Sequence, residues 1–162
     1  MPRLTQEGFL RLEGQLQKDK AQLQRLAAEK SAAYSRDGDG THDNPSFHLL
    51  SSEFEILEDK IARLETALKE VEIISESDIN IDEIDVGTVV ECFVSIPNKP
   101  DSHRAIQIVD TLEAAPLEGR ISAQSPLGSV LTGSIVGDVC KLKIGDRVHS
   151  YKVLALKRTL DK

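Results

Sequence analysis

The chain has no tryptophan, two tyrosines and four phenylalanines, so aromatic residues fill only 4% of its 162 positions. That poverty argues against a sugar-binding platform or a base-stacking surface, since both need several exposed rings. Cysteine is scarcer still, with two residues. Cys92 and Cys140 lie far apart and neither belongs to a paired metal-ligand motif, which points to two buried thiols in a reducing compartment. Long hydrophobic runs are missing: no stretch approaches membrane-spanning length, and Met1-Pro2-Arg3-Leu4-Thr5 has no apolar signal core. A cytoplasmic protein without a membrane contact is expected. Basic charge is short as well, with 20 Lys and Arg against 27 Asp and Glu and a net charge of -7. This argues against binding to nucleic acid mainly by phosphate neutralisation, so any DNA or RNA contact is expected to be weak or indirect.

What the chain does have is heptad periodicity. With Thr5 as N-cap, apolar residues recur at Phe9, Leu12, Leu16, Leu23, Leu26 and Ala33, in steps of three and four once Asp19 and Lys30 are accepted at seam positions. Charged residues there snorkel to the seam edge or set register at some cost in stability. A second segment fills every seam position: Phe47, Leu50, Phe54, Leu57, Ile61, Leu64, Leu68 and Val71. Asn44 is placed to cap it, Pro45 suits its first turn, and it is expected to run to about Glu72. Two such seams bury each other only by folding back as an antiparallel coiled-coil hairpin, each arm roughly 40 to 45 Å long at 1.5 Å per residue.

Beyond Ile73 the pattern turns polar and acidic, and then the period changes to two. Strands are expected over Val86 to Ile96, Ala105 to Val109, Val139 to Ile144 and Val148 to Leu156, with turns at Pro97 to Ser102 and Gly145-Asp146. A short helix is expected after Ser125 as N-cap and Pro126 at its first position, stopping at Gly133. The whole reads as α+β.

Between the helical segments lies Ser35-Arg36-Asp37-Gly38-Asp39-Gly40-Thr41-His42-Asp43-Asn44. Glycine, Asp and Asn suit a helix reversal. Its acidity has a purely structural explanation, because carboxylates before a helix N-terminus are favoured by the macrodipole by about 0.3 to 1 kcal/mol. His42 and His48, six residues apart, do not make a metal site of known spacing and are read as non-catalytic. Lys18, Lys20, Arg25, Lys30 and Arg36 form a basic strip toward the turn, with a solvated helix face as its ordinary explanation.

The stretch Glu113-Ala114-Ala115-Pro116-Leu117-Glu118-Gly119-Arg120-Ile121-Ser122-Ala123-Gln124-Ser125-Pro126-Leu127-Gly128, continuing to Leu131-Thr132-Gly133 and Gly137-Asp138, closely resembles the C-terminal domain of the bacterial Gre transcript-cleavage factors. Leu4-Thr5 and Gly8 extend the resemblance to the start of the chain. It implies a coiled-coil hairpin over 1–75 with an acidic tip at 35–44, a linker at 76–82, and over 83–162 a domain similar to FK506-binding proteins that docks on RNA polymerase. The docking region is implied at Ser125, Pro126, Leu127 and Gly128, though capping and packing also account for these residues.

The resemblance further implies that the hairpin enters the polymerase's secondary channel, where tip acids help hold a second Mg²⁺ shared with the polymerase, which then cleaves backtracked RNA. The factor would meet the RNA 3′ end only indirectly, act as a monomer and not be an enzyme itself. A phosphodiester is cleaved by two Mg²⁺ ions about 4 Å apart, and a weakly held second ion gains from one more hard oxygen ligand. Asp43 and Asn44 match the family's Glu-Asn pair. The family's earlier Asp falls on Gly40 without a gap, and on Asp39 only if the loop carries one extra residue; Asp37 is a further candidate. Asp43 with Asp39 is therefore the expected metal pair, supported by Asn44 and Asp37.

Since relatives with altered tips inhibit the polymerase, an inhibitor with the same docking is the alternative. Two readings of other classes are a coiled-coil interaction or chaperone protein and a prolyl isomerase. The first lacks a spare apolar stripe once the arms pair. The second would need an aromatic-lined pocket, for which the C-terminal half offers only Phe93 and Tyr151.

Overall fold

The structure is a computed structural model that describes residues 1–36 and 44–160. Its elements in chain order are β1 (Arg3–Thr5), α1 (Gln6–Arg36), α2 (Pro45–Lys69), β2 (Glu72–Ile74), β3 (Val89–Ser95), β4 (Ser102–Val109), β5 (Arg120–Ser122), α3 (Pro126–Leu131), β6 (Val139–Ile144) and β7 (Arg147–Lys157), joined in part by single 3-10 turns. They form two compact units. One comprises Leu10–Glu70 and the other Met1–Phe9 with Val71–Lys162.

The first unit is an antiparallel helical pair. Seam positions Leu16, Asp19, Leu26 and Ile61 are buried, and Leu12, Leu23, Lys30, Ala33, Phe47, Leu50, Phe54, Leu57, Leu64 and Leu68 are half-buried, while the positions between are largely exposed. The narrow seam of the sequence pattern is thus the packed face. Contacts from one end to the other run antiparallel: Tyr34 lies tilted beside Phe47, Lys30 lies over Phe54, and Lys20 pairs with Glu65.

Asp19 is the polar exception in this seam, only 4% exposed. Gln15 Nε2 donates to its Oδ1 at 2.8 Å, and Lys60 Nζ lies 2.8 Å from Oδ2. Burial opposes ionisation of this carboxyl, but the ion pair with Lys60 and the bond from Gln15 outweigh it and hold the group below its usual range. Lys60 itself remains half in solvent, so the pair spans the seam edge and avoids enclosing two charges in a dry core.

The second unit is a five-stranded sheet in the order β5-β4-β3-β7-β6, antiparallel except for the parallel β4–β5 pair. Alternation in β3 sends Val90, Cys92 and Val94 to the core face and leaves Phe93 and Ser95 exposed. Ile106, Ile108, Tyr151 and Val153 join the same face, and Leu131 of α3, fully buried, closes it. Both thiols are buried and free, and burial pushes the Cys92 thiol up to about 11.

Several boundaries differ from the sequence expectation. The first nine residues, expected in the hairpin, belong to the sheet unit: β1 pairs in parallel with β2, Leu4 is fully buried, and Arg3 Nη1 reaches Asp85 Oδ2 at 2.9 Å. α2 ends at Lys69, three residues before the expected Glu72, because the chain is already extending into β2. Residues 76–82, expected as a linker, include a 3-10 turn and bury Ile79 within the sheet unit. β4 starts at Ser102, not Ala105, and β5 has no counterpart in the sequence expectation. Strands of three residues, paired with segments far away in sequence, leave no local period to detect.

The seam generates a first prediction. Asp19→Asn should cost about 1 kcal/mol at pH 7, because it removes the ion pair with Lys60 that offsets the cost of burying the carboxylate. Since the native carboxyl is held below its usual range, that stabilisation is present above the ordinary carboxylate range and lost as pH falls through the native value. The difference between wild type and Asp19→Asn should therefore shrink in acid. Asp19→Leu, which completes the apolar seam, should stabilise by about 1 kcal/mol at neutral pH. Denaturant unfolding followed by helical circular dichroism at neutral and acid pH measures all three.

Candidate functional site

Three of the residues singled out at the hairpin turn, Asp37, Asp39 and Asp43, lie outside the described residues, as does His42. What is described is the base on which they stand. Asn44 has extended backbone and its side-chain oxygen accepts from the Phe47 N–H at 3.2 Å, with Pro45 following in the first turn. Its side chain is thus engaged in starting α2, and its own carbonyl accepts from the His48 N–H at 3.2 Å. The last described turn of α1 and the first of α2 meet through rings: Tyr34 and Phe47 have centroids 6.0 Å apart, and Phe47 meets His48 edge-on at 6.1 Å.

The basic strip divides on inspection. Lys30 sits in the seam with its ammonium 5.6 Å from the Phe47 ring centroid and 5.2 Å from that of Phe54. This is a cation–π arrangement that lets a charged residue occupy an apolar position. Lys20 pairs with Glu65, whose carboxyl is thereby held below its usual range. Lys18 and Arg25 are exposed, and the side chain of Arg36 is not described.

The second location is the start of α3. Ser125 is the N-cap: its Oγ accepts from the Gly128 N–H at 3.0 Å and donates to the Ser122 carbonyl at 2.7 Å. Gly128 is buried against the backbone of Ser122 so closely that a Cβ would overlap the Ser122 carbonyl. Leu127 packs against the core. Of the four residues implied for docking, Ser125 and Gly128 therefore build the turn, Leu127 secures it, and Pro126 stands exposed at its surface with Gln124 and Ser129 beside it.

A residue the sequence reading did not single out is Glu113, only 3% exposed. Its Oε1 accepts from the Thr5 N–H at 2.5 Å and its Oε2 from the Thr5 hydroxyl at 2.9 Å. Thr5 and Glu113 are 108 positions apart, so no local pattern reveals the pairing. The one available signal is that both lie in stretches that carry the family resemblance. Phe93 and Tyr151, by contrast, do not converge: Tyr151 faces the core opposite Val94, and Phe93 faces the other side of the sheet. The two rings cannot line one pocket.

Comparison with known proteins identifies relatives of this chain. Residues 79–158 match the family described as transcription elongation factor, GreA/GreB, C-terminal. Transcription elongation factor GreA of Alkaliphilus oremlandii is 34% identical over 157 residues, covering 96% of this chain and 95% of that protein. The GreA of Caldanaerobacter subterraneus subsp. tengcongensis is 32% identical over 155 residues, covering 96% of each. Among solved structures, GreA factor homolog 1 of Thermus thermophilus is 27% identical, covers 96% of this chain and 97% of its own, and superposes with a TM-score of 0.45. Near-complete coverage at this identity shows that the chain belongs to the GreA/GreB family of transcription elongation factors.

Proposed function

We propose that this protein binds RNA polymerase and stimulates cleavage of backtracked RNA, with the polymerase supplying the catalytic centre. The observation that carries the reading is family membership over nearly the whole chain, joined to a helical pair whose turn is acidic. The helical pair is inserted through the secondary channel, and the sheet unit docks outside it through the exposed surface of the α3 start.

The donor chemistry fits a hard divalent cation, since Asp43 and Asp39 offer carboxylate oxygens and Mg²⁺ takes one or two of these with waters and phosphates. Asp43 and Asp39 would hold a second Mg²⁺ shared with the polymerase, an ion that lowers the pKa of bound water or stabilises a leaving oxygen. Asn44 supports the tip by capping α2, and Asp37 adds a further negative charge to the turn sequence. The factor itself forms no bond to RNA in this reading and acts as a monomer.

The tip sequence also favours a second reading. Asp43 stands where the family has a longer Glu, and Gly40 falls at the family's earlier Asp unless the loop is one residue longer. Such a tip suits a factor that occupies the same channel and inhibits synthesis without cleavage.

Backtracked elongation complexes with Mg²⁺ decide between them. Cleavage that depends on the factor and falls at least about tenfold in Asp43→Ala is the expected result, a loss in keeping with removal of one ligand that stabilises transition-state charge. Slowed synthesis without cleavage would replace it by the inhibitor reading. Pro126→Asp should raise the factor concentration needed for half-maximal effect by about tenfold while leaving the maximal effect unchanged, as expected for a residue at the core of a contact. Ser125→Ala should instead lower thermal stability by about 1 kcal/mol through loss of the cap.

A further inference from the structure

Helices that begin with Thr commonly complete their first turn with a Glu three residues later, whose carboxylate reaches back to the N–H of the capping residue. In α1 only half of that device is local. Thr5 Oγ1 accepts from the Gly8 N–H at 2.9 Å, but the third position after the cap is glycine and has no side chain to return the bond. The Thr5 N–H is satisfied by Glu113 Oε1, brought from the 3-10 turn Thr111–Glu113 that follows β4. Its other oxygen takes the Thr5 hydroxyl proton in a hydrogen bond. A Cβ built on Gly8 would overlap the Glu113 carboxylate, so the glycine is what admits the distant group.

We infer that Glu113 is a positioning residue: it completes the capping box of α1 from the 3-10 turn after β4 and thereby holds the first turn of the channel-entering helix in the sheet unit, to which that turn belongs. The inference rests on the polymerase reading for its functional consequence. A local Glu would cap α1 equally well and would tie it to nothing. The arrangement exchanges an ordinary cap for one that also fixes position, and it does so at the positive end of the helix dipole, where a buried carboxylate is favoured. α1 continues unbroken from Gln6 to Arg36.

Restoring the cap without the tie separates the two roles. In the double variant Gly8→Glu with Glu113→Ala, the introduced carboxylate can close the box locally in the space that the Glu113 side chain vacates. Full-length Glu113→Ala and this double variant are compared with wild type in the polymerase assay at saturating factor, alongside hydrogen exchange of the Gln6–Phe9 amides. Glu113→Ala should lose exchange protection and at least about tenfold of the maximal effect, because small displacements of a reacting group carry large rate penalties. The double variant should regain protection but not the effect. Recovery of the full effect by the double variant, or a full effect in Glu113→Ala, would overturn the inference. If wild type leaves the polymerase unaffected, the functional reading fails separately. Residual dipolar couplings of α1 and β3 amides then decide the tie, which is refuted if Glu113→Ala leaves them unchanged.

Discussion

Everything in the helical unit follows from the narrowness of its apolar seam. Each helix carries little more than the two-in-seven stripe of a coiled coil, too little to be stable alone, and the stripe is hidden only when the other helix lies against it. The polar seam residues are accommodated at the edge of this contact. Asp19 keeps its charge because Lys60 and Gln15 reach it, and Lys30 keeps its own by lying over Phe47 and Phe54. Once the seam is closed, the remaining faces are mostly polar, with Leu10, Tyr34, Leu49 and Ile56 exposed among them.

The sheet unit solves a different problem. Its alternating strands bury one face under a single short helix, and the turn into that helix is so tight that Ser125 and Gly128 are consumed in making it. That is why a motif of four residues yields only one, Pro126, that is both exposed and shaped by the motif. The unit also recruits the start of the chain. β1 pairs with β2, Leu4 is buried beneath it, and Thr5 is held by Glu113. Contacts so distant in sequence close long loops, at an entropic cost that grows only slowly with loop length.

Membership of the GreA/GreB family gives these devices a common purpose. In the proposed reading the acidic turn and the α3 surface act on one polymerase at two places. In that reading the seam keeps the two helices paired, and the Glu113 carboxylate caps the first turn of α1.

The helices, their caps and their facing seam were legible in the sequence because they are written in local spacing: steps of three and four, Thr5 and Asn44 before the first turn, Pro45 within it. The same holds for the longer strands and for Ser125, whose capping role follows from Pro126 beside it. Even the polar exceptions Asp19 and Lys30 were visible as positions, though not their partners. What only the tertiary structure decided are the relations between distant segments: that Met1–Phe9 fold with the sheet, that residues 76–82 pack there, and that Phe93 and Tyr151 face opposite ways. Glu113 belongs to the same class. A capping box is recognised in sequence by its three-residue spacing, and here the second member lies 108 positions from the first, so the spacing that announces it is a distance in space.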